Sequence, residues 1–330
     1  MESRNYLIAG GAGFIGSHLV EKLLESKSNV FLLDNFSSGS IRNLEHLCQN
    51  KFLTIYEIDI TKNLPNFKKL DVIINLATIA NTVEYEKYPI ETLEVNSIGN
   101  RNLLELAVKH EANYIFFSSS EIYGHHEKYQ INEETFSKLY LNQKRSPYFV
   151  GKIFGEELVN NFCKANSLDY LIVRPFNIYG PRMDVKTRYG RVIPNFINNA
   201  LKNQQLVING NGNQVRAFCY IDDFIECIMK ILVLNSFNHN IVNIGNPEPT
   251  TILDLAKMIN KIIGNQNGFI FRNRYPYEPN YRCPSIEKVK SWLNWMPKIS
   301  LEKGLEKMIS YHHDKYEVSE IESISSSSDI

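Results

Sequence analysis

Three glycines, Gly10, Gly13 and Gly16, stand between the apolar run Tyr6-Leu7-Ile8-Ala9 and the apolar residues Ile15, Leu19, Val20 and Leu23, which recur at helical spacing. The run reads as a short strand, so the glycines fall on a strand-to-helix turn. In such a turn Gly10 permits the tight bend, Gly13 lets the backbone approach a pyrophosphate, and Gly16 lets helix and strand pack closely. Amides at the helix N-terminus, where Phe14 and Ile15 stand, then face the phosphates. Glycines alone fit a plain turn equally well. The next strand decides between the two readings: Val30-Phe31-Leu32-Leu33 ends in Asp34, eighteen residues after Gly16, where an acid meets the ribose hydroxyls of an adenosine. A carboxylate there repels a 2′-phosphate, and the following residue is Asn35 rather than Arg, so the expected cofactor is NAD rather than NADP. Arg42, close by in sequence, is the one residue that points the other way.

Strand-like and helical stretches alternate through the first half of the chain. Leu53–Glu57 and Val72–Leu76 read as strands, Pro89–His110 as a long helix, Tyr114–Ser118 as a strand, Pro147–Ala165 as a helix and Tyr170–Arg174 as a strand. This is the pattern of an α/β protein with a doubly wound parallel sheet, the Rossmann arrangement. Ligands in such sheets sit beyond the carboxyl ends of the strands. Asp59 and Ile60, Leu76 and Ala77, and Ser119 all follow or end such strands and are expected along one crevice with the glycine turn. After Arg174 the elements shorten and turns such as Asn209-Gly210-Asn211-Gly212 multiply. The expected organisation is a cofactor-binding domain over 1–180 and a smaller C-terminal substrate-binding lobe over 181–317, some of whose elements return to the main sheet. The stretch 318–330 carries little apolar surface and reads as disordered.

A hydroxyl at a strand end, Ser119, precedes a helix that carries Tyr148 and Lys152 on one face, four residues apart. This set suits removal of the proton from a secondary alcohol. Ser119 can hold the alcohol oxygen, Tyr148 can accept its proton, and an ammonium beside the phenol is expected to lower the tyrosine pKa.

Lys+Arg and Asp+Glu are both 36, which gives no reason to expect nucleic acid or an anionic membrane as partner. No apolar run reaches transmembrane length, and the polar start Met1-Glu2-Ser3-Arg4-Asn5 does not read as a signal peptide. Cys48, Cys163, Cys219, Cys227 and Cys283 are scattered and odd in number, which suggests reduced thiols in a cytoplasm and no zinc site. The pairs His125-His126 and His312-His313 lack further ligands nearby in sequence, so no metal is expected.

With these residues in place, the chain resembles the extended short-chain dehydrogenases/reductases that act on nucleotide sugars, over roughly residues 5–312. Among them it is most similar to the UDP-glucuronate decarboxylases. The resemblance lies in Ser118-Ser119-Ser120-Glu121-Ile122-Tyr123-Gly124, in Arg174-Pro175-Phe176-Asn177-Ile178-Tyr179-Gly180-Pro181-Arg182-Met183, in Gly190-Arg191-Val192-Ile193-Pro194-Asn195-Phe196, in Gln214-Val215-Arg216-Ala217-Phe218 and in Asn243-Ile244-Gly245-Asn246-Pro247-Glu248. It implies a catalytic group of Ser119, Glu121, Tyr148 and Lys152, with Asn177 and Arg216 facing a nucleotide-diphosphate sugar and Arg282 near its diphosphate. It also implies a homodimer formed through the helices Pro89–His110 and Pro147–Ala165. Two segments depart from the decarboxylase pattern, Thr78-Ile79-Ala80-Asn81-Thr82 and Tyr148-Phe149-Val150-Gly151-Lys152-Ile153. Oxidation at sugar C4 is the shared first step. Loss of a C6 carboxylate, loss of water after Glu121 removes the C5 proton, C4 epimerisation and net C4 oxidation all stay open beyond it. A non-catalytic NAD-binding protein has no use for Ser119, Tyr148 and Lys152 together.

Overall fold

The computed structural model describes residues 3–126, 130–183, 191–235, 237, 240–274 and 278–326. Seven parallel strands form the central sheet in the order β11-β6-β5-β4-β1-β2-β3. They are β1 (Asn5–Ala9), β2 (Asn29–Asp34), β3 (Leu53–Glu57), β4 (Val72–Asn75), β5 (Asn113–Phe117), β6 (Tyr170–Pro175) and β11 (Asn240–Ile244). Helices cover both faces, which is why the inner strands are apolar runs without alternation. All four residues of β4 are buried, as are Leu7, Ile8, Ile115 and Ile172 in its neighbours. Strand order reverses between β1 and β4, and the crevice opens there.

One side of the sheet packs on α1 (Phe14–Glu25), while α4 (Asn100–His110) and α5 (Ser146–Ala165) pack on the other through Leu103, Leu104, Ala107 and Val159. The stretch expected as one helix from Pro89 to His110 is α3 (Pro89–Glu94), a turn of π-helix (Val95–Gly99) and then α4. The wider turn carries Asn96, whose Nδ2 donates to Thr78 Oγ1 and to Thr92 O, and is followed by Asn100, whose Nδ2 donates to Gly155 O at 3.2 Å. Helix α5 lies close on β5, since a Cβ at Gly155 would come within 2.5 Å of the Phe116 ring.

The second half of the chain builds a lobe at the carboxyl edge of the sheet. It contains β7 (Ile178–Tyr179), α6 (Val192–Leu201), β8 (Leu206–Asn209), β9 (Val215–Arg216), β10 (Cys219–Tyr220) and α7 (Ile221–Leu234). After β11 come β12 (Thr250–Thr251), α8 (Ile252–Ile263), β13 (Phe269–Arg272), β14 (Tyr281–Arg282), α9 (Glu287–Leu293) and α10 (Leu301–Ser326). Strand β11 returns to the main sheet beside β6, whereas β8 pairs with β13 and β9 lies between β12 and β14.

Helix α10 runs to Ser326, and residues 327–330 lie outside the described part. Leu305 and Met308 anchor its first turns in the core, and extending a helix that already exists costs far less than starting one. Among the described residues no helix is long and apolar enough to cross a membrane.

Candidate active site

The cofactor end of the crevice is built by the turn after β1. Gly10 has φ +77°, and a Cβ there would come within 2.8 Å of Leu76 C and Ala77 N. Only glycine allows both the bend and this approach. The contact brings the ends of β1 and β4 together, and Asn75 holds the second of them. Its Oδ1 accepts from Ala77 N at 3.1 Å, while its Nδ2 donates to Asn100 Oδ1 and Tyr114 Oη. Gly13 caps α1 with no side-chain cap and no acid in the first turn, so the helix offers its N-terminal amides to an anion. Asp34 is buried at the end of β2, where its Oδ2 accepts from Ala12 N and its Oδ1 from Phe36 N, each at 2.9 Å. Burial raises its pKa against the pull of those two amides. Each carboxylate oxygen keeps a further lone pair, so the residues present fit the ribose and pyrophosphate of NAD.

The remaining expected cofactor contacts fall on the same edge of the sheet. Phe14 and Ile15 open α1, and exposed Asn35 follows Asp34, its Oδ1 accepting from Ser37 N at 3.1 Å. Asp59 turns the chain after β3 by accepting from both Thr61 N and Thr61 Oγ1 at 2.8 Å. Ile60 is buried beneath Gly99 and gives its carbonyl to Asn102 Nδ2.

Ser119, Glu121, Tyr148 and Lys152 gather one strand further along. Ser119 Oγ accepts from Glu121 N at 3.1 Å and is hydrogen-bonded to the Tyr148 phenol. The expectation that Lys152 lowers the tyrosine pKa does not hold in this structure. Burial pushes Tyr148 up to about 12, Glu121 adds to the rise, and the bond to Ser119 only partly opposes it. Lys152 points elsewhere, its Nζ donating to Phe117 O at 2.7 Å and lying 4.8 Å from the centre of the Phe116 ring. Burial pulls the lysine down to about 7, against Glu156 one turn on.

Arg216 and Arg282 are buried opposite each other in the parallel pair β9–β14. Burial and the neighbouring guanidinium lower Arg216 to about 10, and its Nη2 pairs with Glu278 at 3.1 Å. Arg282 lies 3.6 Å from Glu121, and among the described residues its Nε has no hydrogen-bond partner. Two crowded cations with a spare donor suit a dianion such as a diphosphate. Asn177, at φ +41°, donates from Nδ2 to Ala217 O at 2.9 Å and so holds the loop that follows Arg216.

Three residues absent from the expected set also converge here. Tyr85, on α2 (Thr82–Lys87), stacks on Tyr148 with ring centroids 5.2 Å apart. Arg145 precedes Tyr148 by one helical turn, and Glu278 precedes β14. Only Arg145 left a sequence signal, its spacing from Tyr148.

Fold and crevice define a class, the NAD-binding enzymes of the short-chain dehydrogenase/reductase kind. Residues 6–245 match the NAD dependent epimerase/dehydratase family, and the chain belongs to it. The UDP-glucuronic acid decarboxylase 1 of Xenopus tropicalis is 35% identical over 316 residues, 96% of this chain and 74% of that protein. The UDP-glucuronic acid decarboxylase 6 of Arabidopsis thaliana is 35% identical over 91% of this chain and 86% of its own length. Among solved structures, UDP-glucuronic acid 4-epimerase from Bacillus cereus, in complex with UDP-glucuronic acid and NAD, matches with a TM-score of 0.82 and 29% identity, covering 94% of this chain and all of that one. The protein is thus an NAD-dependent nucleotide-sugar-modifying enzyme of the decarboxylase, dehydratase and epimerase class.

Proposed function

We propose that this enzyme is a UDP-glucuronate decarboxylase. The observation that carries the reading is Glu121 paired with buried Arg282 beside the Ser119–Tyr148 hydrogen bond. The 35% identity to decarboxylases over nearly the whole chain supports it. In this reading Ser119 holds the C4 hydroxyl, Tyr148 takes its proton, and Lys152, one helical turn further along α5, would hold the nicotinamide ribose when the cofactor is bound. When bound, NAD would be held by the glycine turn and Asp34 and would supply the hydride chemistry at C4. A ketone at C4 makes the C6 carboxylate that of a β-keto acid. The C5–C6 bond breaks, carbon dioxide leaves, and the electron pair moves into the C4 carbonyl until a proton arrives at C5. Arg216 and Arg282 hold the diphosphate, and Asn177 shapes the loop beside it. The division into a cofactor half over 1–180 and a substrate half over 181–317 follows from that arrangement.

The same reading makes the enzyme a homodimer, because Ile90, Ile98 and Phe154 are exposed on α3, the π turn and α5. It places the protein in the cytoplasm, consistent with five free thiols. The test is mass spectrometry of the products formed from UDP-glucuronate and from UDP-glucose with NAD. The expected result is loss of carbon dioxide from the first. Loss of water from UDP-glucose, or an isomer without loss of mass, would replace this reading with dehydration or epimerisation.

A further inference from the structure

Beneath the catalytic group lies a set of buried polar side chains that the chemistry described so far does not use. Glu156 stands one helical turn after Lys152 on the same face of α5 and is itself buried. Arg174, near the end of β6, grips it through two parallel bonds, Nε to Oε1 at 2.9 Å and Nη2 to Oε2 at 2.6 Å. The other arm of the guanidinium, Nη1, donates to Tyr123 Oη at 2.7 Å and to Glu133 O at 3.2 Å. Tyr123 closes the turn Ser120–Tyr123 that begins beside Ser119, and its hydroxyl donates to Asn243 Oδ1 of β11 at 2.8 Å. The Asn243 amide in turn donates to the Glu133 carboxylate at 2.7 Å.

An ion pair this deep recovers its desolvation only when its geometry is good and its remaining donors are satisfied, and the bidentate fork with its bonds to Tyr123 and Glu133 meets both conditions. What the pair does follows from its place. Lys152 brings an ammonium into the interior, where β5 offers it the Phe117 carbonyl and the Phe116 ring, both neutral. On its own helix it stands between Tyr148 and Glu156, one turn to either side. Burial drives it toward the neutral amine, and Glu156 opposes that. The charges alternate outward from it: Lys152, Glu156, Arg174, then Glu133 beyond Tyr123 and Asn243. Each charge in this row has an opposite neighbour, as buried charges require, and the grip of Arg174 keeps the Glu156 carboxylate from turning away.

We propose that Glu156 is the counter-ion that keeps Lys152 an ammonium, and that Arg174 is the positioning residue that holds Glu156 in place for it. With one donor of the ammonium spent on Phe117 O, the others are free for the nicotinamide ribose, and a neutral amine would have one donor fewer. Tyr123 and Asn243 extend the brace from α5 to the turn that carries Glu121 and to β11, so both halves of the chain support the lysine. The proposal rests on the reading that Lys152 holds the cofactor ribose and is independent of which product leaves.

The test follows the Lys152 side chain by NMR of the full chain with isotope-labelled lysine, the signal being assigned by its loss in Lys152→Met. Its titration midpoint in the unaltered protein is expected at about 7. Glu156→Gln removes the counter-ion and should lower that midpoint by at least about one pH unit, a tenfold loss of proton affinity. Arg174→Met leaves the carboxylate without its cation and should raise the midpoint by a similar amount. Because Glu156→Gln strands a buried guanidinium, the double variant Glu156→Gln with Arg174→Met is measured beside it, and melting temperature reports that each is folded. Its midpoint should also fall. A purely structural network predicts a different pattern: loosened packing admits water and raises the midpoint in every variant toward roughly 10.4. A rise or no change in Glu156→Gln or in the double variant would therefore overturn the proposal, and no rise in Arg174→Met would remove Arg174 from it. NAD affinity over the same pH range separates the proposal from the reading beneath it. Affinity should decline as Lys152 loses its proton, and should do so at lower pH in Glu156→Gln than in the unaltered protein. A flat affinity with the midpoints shifted as stated would uphold the counter-ion and overturn the cofactor contact of Lys152.

Discussion

Lys152 carries an ammonium into a position only 1% exposed, where it has a carbonyl and a ring face for company. The unfolded side chain titrates near 10.4, and burial brings the folded one down to about 7 despite Glu156. Between those values the unfolded chain binds more protons than the folded one, so this lysine makes stability rise with pH across that window. Below about 7 both states are protonated and its contribution is flat. Lys152→Met removes the titration and keeps most of the volume. The expected outcome in urea unfolding is that the unaltered protein gains on the variant between pH 7 and 10, by at least about 1 kcal/mol, and does not gain below pH 7. Parallel pH curves for the two proteins would show a lysine with an ordinary pKa. Burial likewise raises Tyr148 to about 12, which widens the pH range over which its phenol stays neutral in the free protein.

At the scale of elements, helices α3 and α5 and the π turn between α3 and α4 set both the site and an apolar outer surface. Ile90 is 65% exposed, Ile98 47% and Phe154 51%, on segments that bury Thr92, Asn96, Gly99 and Val159. An apolar surface of this kind fits a second copy of the chain. The double substitution Ile98→Glu with Phe154→Glu places charges there without touching the crevice. Light scattering at micromolar concentration should show a dimer for the unaltered protein and a monomer for the variant, and a monomer in both cases would remove the homodimer. These helices are legible in the sequence because apolar residues recur at a helical period. The π turn is not, since it changes which faces align without changing composition. Within the site, Asp34, Ser119, Tyr148 and Lys152 stand at fixed distances from strands and helices, so spacing alone finds them. Tyr85 and Glu278 reach the site only because distant segments fold over α5 and beside β9, and no local pattern records that packing.

Across the whole molecule, the returning strand β11 ties the second half of the chain into the sheet, while β9 and β14 hold two arginines over the crevice. Arg282 also reaches Glu121 of the sheet domain at 3.6 Å, so the arginine pair and the Ser119–Tyr148 cluster meet at one ion pair. Burial, and after it the repulsion between Arg216 and Arg282 held side by side, lowers the pKa of Arg216 in the free protein. A ligand bearing two phosphates relieves that repulsion, binds the folded chain selectively and stabilises it by mass action. UDP alone, without any sugar, is therefore expected to raise the melting temperature of the NAD-loaded enzyme. Arg216→Met should weaken UDP by at least about tenfold, the scale of a lost charge-assisted contact, while NAD affinity stays within about twofold because the glycine turn and Asp34 are untouched. In the variant, the rise in melting temperature at a fixed UDP concentration should shrink accordingly. Calorimetry with UDP and with NAD separates the two sites. Unchanged UDP affinity would mean that the paired arginines serve the lobe and not the nucleotide.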